Sequence, residues 1–179
     1  RRWLAEVNEM KTGVEPAAQL KTSDKSHYTM ITDPAVFKDW IEKLKKADYF
    51  SFDTETDSLN YLEAKLIGLS FAVSVEEAAY VPLAHQTDVP QLSLTEVLAA
   101  LKPLLEDPTP KKIFQHAKYD QHVLANYHIS LTGILADTLL MAYVLDSTGR
   151  HDLKSLAQQY LNRETKSYTE LTGKGKKQL

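Results

Sequence analysis

"YFSFDTETDSL", residues 49–59, is the stretch whose reading decides the fold. It opens as a buried strand, with Phe50 and Phe52 alternating, and closes by setting two acids, Asp53 and Glu55, two residues apart. Successive side chains on a strand leave on opposite faces, so 50, 52 and 54 point one way and 51, 53 and 55 the other. One face is therefore apolar, and the other carries two carboxylates about 7 Å apart along the strand. Water-facing strands more often carry Thr, Lys or Ser than two acids that repel each other. The pair asks for a cation.

Working outward, "HYTMIT" before this strand reads as a short strand, and Asp33 followed by Pro34 forms an N-cap and first-turn pair for a helix. Phe37, Trp40, Ile41 and Leu44 then recur at helical spacing, which places Trp40 in the core. Beyond the acids, "KLIGLSFAV" (65–73) and "AAYVPLA" (78–84) read as strands joined by a short acidic turn, so the three form an antiparallel meander. "SLTEVLAALKPLLED" opens a helix with Ser93 and Glu96 in capping-box spacing. "KKIFQH" (111–116) is a short buried strand running into the helical "KYDQHVLANY", and residues 133–136 read as a connection to a helix N-capped by Asp137. Asp146 ends that helix. Asp152 starts the next, with Leu153, Leu156, Ala157, Tyr160 and Leu161 expected inward. The order is a mixed α/β sheet covered by helices.

Composition narrows the function classes. The chain has 179 residues, of which 43% are hydrophobic and 25% charged, the balance of a single globular domain able to bury a core. A formal charge of -3 gives no broad basic surface for duplex binding, so any nucleic acid must be gripped locally. The absence of cysteine excludes disulfides, thiolate zinc sites and cysteine nucleophiles. No apolar run is long enough to cross a bilayer, and the expectation is a cytoplasmic protein. Residues 1–27 are polar, with Gly13 and Pro16 and no sustained period, and read as a linker with Trp3 in its tail; residues 28–179 read as the domain.

Two carboxylates need a third to hold two divalent ions about 4 Å apart, the arrangement that stabilises both attacking and leaving oxygens in phosphoryl transfer. Asp120, near the start of the helix after a buried strand, is the candidate, with His116 four residues earlier. It reads equally as a first-turn acid complementing the helix dipole, and both readings stand. Ligands made of carboxylates alone favour Mg²⁺ or Mn²⁺ over zinc. His85, His122 and His128 show no metal-ligand spacing and read as surface or turn residues; the "GKGK" run lacks the full phosphate-loop pattern.

"FDTETDSL", "KLIGLSFAV", "AAYVPLAH", "KYDQHVLANY", "ADTLLMAYVLDSTGRHDLKSLAQQYL" and "GKGKKQL", in that order, resemble the 3′-5′ proofreading exonuclease domain of bacterial DNA polymerase I, a member of the DEDD exonuclease superfamily. The resemblance covers about Tyr28 to Leu179, and "RRWLAEV" is similar to the segment that follows a 5′-nuclease domain. It implies a ribonuclease H-like mixed sheet flanked by helices. It also implies two divalent ions, Mg²⁺ or Mn²⁺, held by Asp53, Glu55 and Asp120, with Asp53 bridging both. Leu59 matches the apolar residue that wedges against the terminal base. Tyr168 stands where the family places an aromatic, usually Phe, on the 3′ nucleotides. Gln115, His116, Tyr119 and Arg150 match positions along the DNA path. His116 replaces the usual Asn; an imidazole can still donate a hydrogen bond, and its charge varies near neutral pH.

The partners so implied are a single-stranded or frayed 3′ end of DNA and the polymerase domain of the same parent chain, in a nucleoid-associated monomer. The resemblance further implies a third motif, a Tyr followed four residues later by an Asp in a helix beyond "GKGKKQL", and the sequence stops at Leu179. The expectation is a stretch of a longer polymerase, with an incomplete ligand set, that by itself trims DNA weakly or not at all. Two other readings are a silent scaffold within the polymerase, which retention of all three acids disfavours, and an RNA-trimming exonuclease of the RNase D type, which "GRHDLKSLA" and "GKGKKQL" disfavour.

Overall fold

The computed structural model describes residues 27–165. Trp3, Tyr168 and the "GKGKKQL" end lie outside the described residues. The described strands are β1 (His27–Met30), β2 (Tyr49–Thr56), β3 (Leu66–Ala72), β4 (Glu77–Pro82), β5 (Lys111–Phe114) and β6 (Ile134–Asp137). The described helices are α1 (Pro34–Lys46), α2 (Leu94–Glu106), α3 (Ala117–Ala125), α4 (Thr138–Leu145) and α5 (Leu153–Leu161). The strands form one sheet in the order β1-β4-β3-β2-β5-β6. β2, β3 and β4 make the expected antiparallel meander. The sheet turns parallel on either side of it, where β5 joins β2, β6 joins β5 and β1 joins β4. This is the mixed α/β sheet expected from the sequence.

The alternation along β2 is as the sequence predicts, with Phe50, Phe52 and Thr54 buried while Ser51, Asp53 and Glu55 are exposed. Of these, Phe52 meets Phe71 of β3 and Phe114 of β5, and Phe71 in turn meets Trp40 of α1. Ring centroids are 6.3 Å apart for Phe52–Phe71, 6.0 Å for Phe52–Phe114 and 5.9 Å for Trp40–Phe71. Each such side chain contributes about 1.5–3 kcal/mol through burial, so this cluster anchors the strand that carries the acids. α1 buries the stripe Phe37, Trp40, Ile41 and Leu44. Its start is capped as expected, Ala35 N–H donating to Asp33 Oδ1 at 2.6 Å, and lysines in its last turn complement the dipole.

Three expectations are corrected. Residues 133–136 are not a mere connection, because 134–137 form β6. Four residues are too few to show a period, and pairing with β5 decides the matter. Gly133 turns the chain into β6 at φ 69°, where a Cβ would stand 2.9 Å from Pro110 O. Ser93 occupies the N-cap of α2 but makes no side-chain cap bond, and Glu96 complements the dipole in its place. α5 buries Leu156, whereas Leu153, Tyr160 and Leu161 stand exposed. A helical period states which face is apolar, not whether anything covers it. α5 belongs to a second compact unit beginning at Asp146, distinct from the sheet-bearing unit that ends at Leu145. Asp152 caps α5 as expected, accepting from Ser155 N–H at 3.0 Å.

Candidate active site

β2 outlasts its neighbour. It pairs with β5 only from Tyr49 to Ser51, and β5 then gives way to α3. The β2 backbone past that point needs another partner on this edge. Asp120 supplies it, its Oδ1 accepting from the Thr54 N–H at 3.0 Å and the Thr54 hydroxyl at 2.7 Å. The helix acid is thereby fastened to the residue between Asp53 and Glu55. At 1% exposure Asp120 is no solvent-facing acid of a first turn.

The electrostatics follow from that placement. Burial pushes the Asp120 carboxyl up to about 6, against the two Thr54 bonds that pull it down. Burial also pushes Asp53 up to about 7, with the charges of Asp120 and Glu55 adding to the effect. Asp53 faces solvent along part of its length, and water screens some of this repulsion. Burial raises Glu55 too, while His85 pulls it the other way. Among the described residues, no three acids or histidines stand close enough to ligate one ion as they are. What the fold brings together is an electrostatically coupled set of carboxylates at the end of β2.

His116 sits at the N-cap of α3 in the left-handed region, φ 72° and ψ 47°. His, like Asn, is enriched there among residues with a Cβ, which gives a backbone reason for either residue at this position. Its side chain makes no cap bond. Asp137 caps α3 in its stead, accepting from His116 N–H at 3.0 Å and Ala117 N–H at 2.9 Å, and also from Leu139 N–H at 3.0 Å in its own helix. The expected N-cap thus serves two helices. The exposed His116 ring lies 6.4 Å from that of Tyr119. Gln115 accepts from the Thr138 hydroxyl, which ties it to α4.

Leu59 is 93% exposed on the loop after β2, and the Tyr119 hydroxyl donates to Ser58 O in the same loop at 2.5 Å. Asp53, Glu55, Leu59, Gln115, His116, Tyr119 and Asp120 therefore all lie in the sheet-bearing unit, around the end of β2 and the start of α3. Arg150 belongs to the second unit, where its largely exposed side chain pairs with Asp152 at 3.2 Å. Tyr168 lies outside the described residues.

Sequence reasoning missed Thr54 and the Tyr80–His85 pair. Thr54 had a signal, since a hydroxyl on the buried face of β2 has to find a partner. Tyr80 Oη lies 2.6 Å from His85 Nε2, so His85 is more than a turn residue. The Tyr80 phenol occupies the space over Gly68, which stands opposite Glu55 in the sheet.

A mixed sheet that ends a central strand on two acids, met by a third from the helix after the neighbouring strand, defines a carboxylate-centred α/β domain. A profile of the 3′-5′ exonuclease family matches residues 28–179, and the chain belongs to that family. It is 46% identical to DNA polymerase I of Pseudomonas aeruginosa over 100% of this chain and 20% of that protein. The chain spans about a fifth of the length of the curated relatives it matches. Among solved structures, Pol1 of M. smegmatis, in complex with DNA primer-template and dNTP, is 26% identical with a TM-score of 0.63, covering 76% of this chain and 23% of that one. Escherichia coli RNase D shares the fold, with a TM-score of 0.60 at 20% identity over 78% of this chain and 35% of its own.

Proposed function

We propose that this domain hydrolyses the terminal phosphodiester at the 3′ end of single-stranded or frayed DNA, as the proofreading part of a DNA polymerase I whose polymerase domain belongs to the same parent chain. The supporting observation is the fastening of Asp120 to Thr54, between Asp53 and Glu55. In hydrolysis the oxygen of water bonds to phosphorus and the bond to the 3′ oxygen breaks. The products are a deoxynucleoside 5′-monophosphate and a strand shorter by one nucleotide, with a new 3′ hydroxyl.

The donor set fits Mg²⁺ or Mn²⁺. It is made of carboxylate oxygens, and a carboxyl raised to about 7 by burial and repulsion is one that a dication would return to its charged form. Asp53, Glu55 and Asp120 would hold two such ions, which when bound supply activation of water and stabilisation of the leaving oxygen. Thr54 fixes the orientation of Asp120 before substrate arrives, so that little reorganisation is left to the reaction. Leu59 and the His116 and Tyr119 rings offer apolar surface to unpaired bases of any sequence, with stacking worth about 1–3 kcal/mol per base. Arg150 suits a phosphate oxygen of the strand, and Tyr168 a terminal base. Among the described residues no helix is long and apolar enough to cross a membrane. We place the protein in the cytoplasm, as a monomer on the nucleoid.

The test uses a polypeptide of the relatives' full length, with 5′-labelled single-stranded DNA and RNA in Mg²⁺ or Mn²⁺. The expected result is a DNA ladder shortened from the 3′ end, intact RNA, and no ladder with Asp53→Ala. Preference for RNA would support the RNase D-type reading. Unchanged trimming by Asp53→Ala would move the activity away from these acids and leave the domain a scaffold.

A further inference from the structure

The segment between β2 and β3 is a closed loop strapped to one helix. Asp57 N–H donates to Lys65 O at 3.1 Å, and Lys65 N–H to Asp57 Oδ1 at 2.8 Å, joining its two ends. Three residues of α3 and its C-cap hold it down. The Tyr119 hydroxyl bonds Ser58 O at 2.5 Å and lies 2.5 Å from Thr56 Oγ1. The His122 ring stacks on Tyr61, with centroids 4.5 Å apart and planes 19° apart. Asn126 Nδ2 donates to Tyr61 O at 2.8 Å. Positions 119, 122 and 126 are spaced by three and four, a single stripe of the helix. Tyr127 adds a bond from Leu66 N–H to its hydroxyl at 2.9 Å, at the exit from the loop.

The helix that carries the buried Asp120 therefore also fixes the loop that carries Leu59. A leucine at 93% exposure beside a set of carboxylates has no packing role in the fold, and its natural complement is an apolar flat surface such as a base. A side chain can hold two bases apart only if its own backbone does not yield, which the strap prevents.

We propose that Tyr61, His122 and Asn126 are positioning residues that hold Leu59 at a fixed offset from the carboxylates, and so determine how readily the site takes a nucleotide from a paired 3′ end. The proposal rests on the exonuclease reading above. A single strand needs no opening and is indifferent to the strap, whereas a duplex end needs the wedge.

The experiment compares wild type, His122→Ala, Leu59→Ala and the double variant in the full-length protein, on 5′-labelled single strands and on duplexes with a matched 3′ end. His122→Ala should keep the single-strand rate within about twofold while the duplex to single-strand ratio falls roughly 2- to 10-fold, the equivalent of one aromatic stack. Leu59→Ala, which also removes a base contact, should lower that ratio by a similar factor on top of any loss on single strands. The double variant should fall no further, because both changes act through one side chain. Tyr61→Phe, which keeps the ring and the carbonyl, should keep the wild-type ratio. Equal losses on both substrates, additive losses in the double variant, or an unchanged ratio in His122→Ala would overturn the proposal. A wild-type protein that shortens neither substrate would instead overturn the exonuclease reading.

Discussion

Replacing Asp120 by Asn should flatten the pH dependence of stability in the metal-free domain. The side chain is 1% exposed and accepts two bonds from Thr54 on Oδ1, both of which an Asn oxygen can also accept. What the substitution removes is a charge. Burial holds the folded carboxyl at about 6, against an ordinary value of 3.8. The folded state therefore keeps a proton that the unfolded chain has already lost, and stability falls as pH rises through the interval between those values. Below it the group is protonated in both states and contributes no penalty; above it the full penalty applies. A gap of about two pH units corresponds to about 3 kcal/mol. Asp53 adds to the slope in the same direction, and since Asp120 raises it, the variant should relax Asp53 as well. Urea unfolding in EDTA at steps from pH 4 to pH 8 measures this: wild type should lose about 3 kcal/mol more than the variant across the range. Saturating Mg²⁺ at pH 8 should then stabilise wild type more than the variant. Parallel pH profiles for the two proteins in EDTA would refute the buried-charge account.

Thr54→Val keeps the β-branched shape and the backbone donor but removes the hydroxyl bond at 2.7 Å. It should cost about 1.5–3 kcal/mol at pH 8, where Asp120 is ionised, and less at pH 4. Urea unfolding at both values checks it, and an equal loss at the two would count against a charge-assisted bond. In Gly68→Ala the new Cβ would stand 1.9 Å from Tyr80 Oη, so the phenol must leave its partner His85. A loss of about 1–3 kcal/mol is expected from overpacking, with a shift of the His85 ring signals in NMR spectra. A variant as stable as wild type, with those signals unmoved, would show that the phenol is not locked over β3.

Local order was legible along the chain. The two-residue period of β2, the helical stripe of α1, the Asp33 cap and the meander each follow from a pattern within a single segment, and the structure keeps all of them. Such patterns need no knowledge of what lies across the fold. β6 escaped because a four-residue strand has no period of its own, and Ser93 had the right spacing but made no side-chain cap bond.

The candidate site divides along the same line. Sequence alone put Asp53 and Glu55 on one face of a strand and proposed Asp120 as their partner, because strand alternation and the first turn of a helix are local geometry. Only the tertiary structure decided that Thr54 holds Asp120, a bond across 66 residues, and that Asp137 caps α3 from 20 or more residues away. It alone decided that the Leu59 loop is strapped to α3. A polar group must find a partner when it is buried, but which partner it finds depends on what packing brings alongside, and no period in the sequence records that.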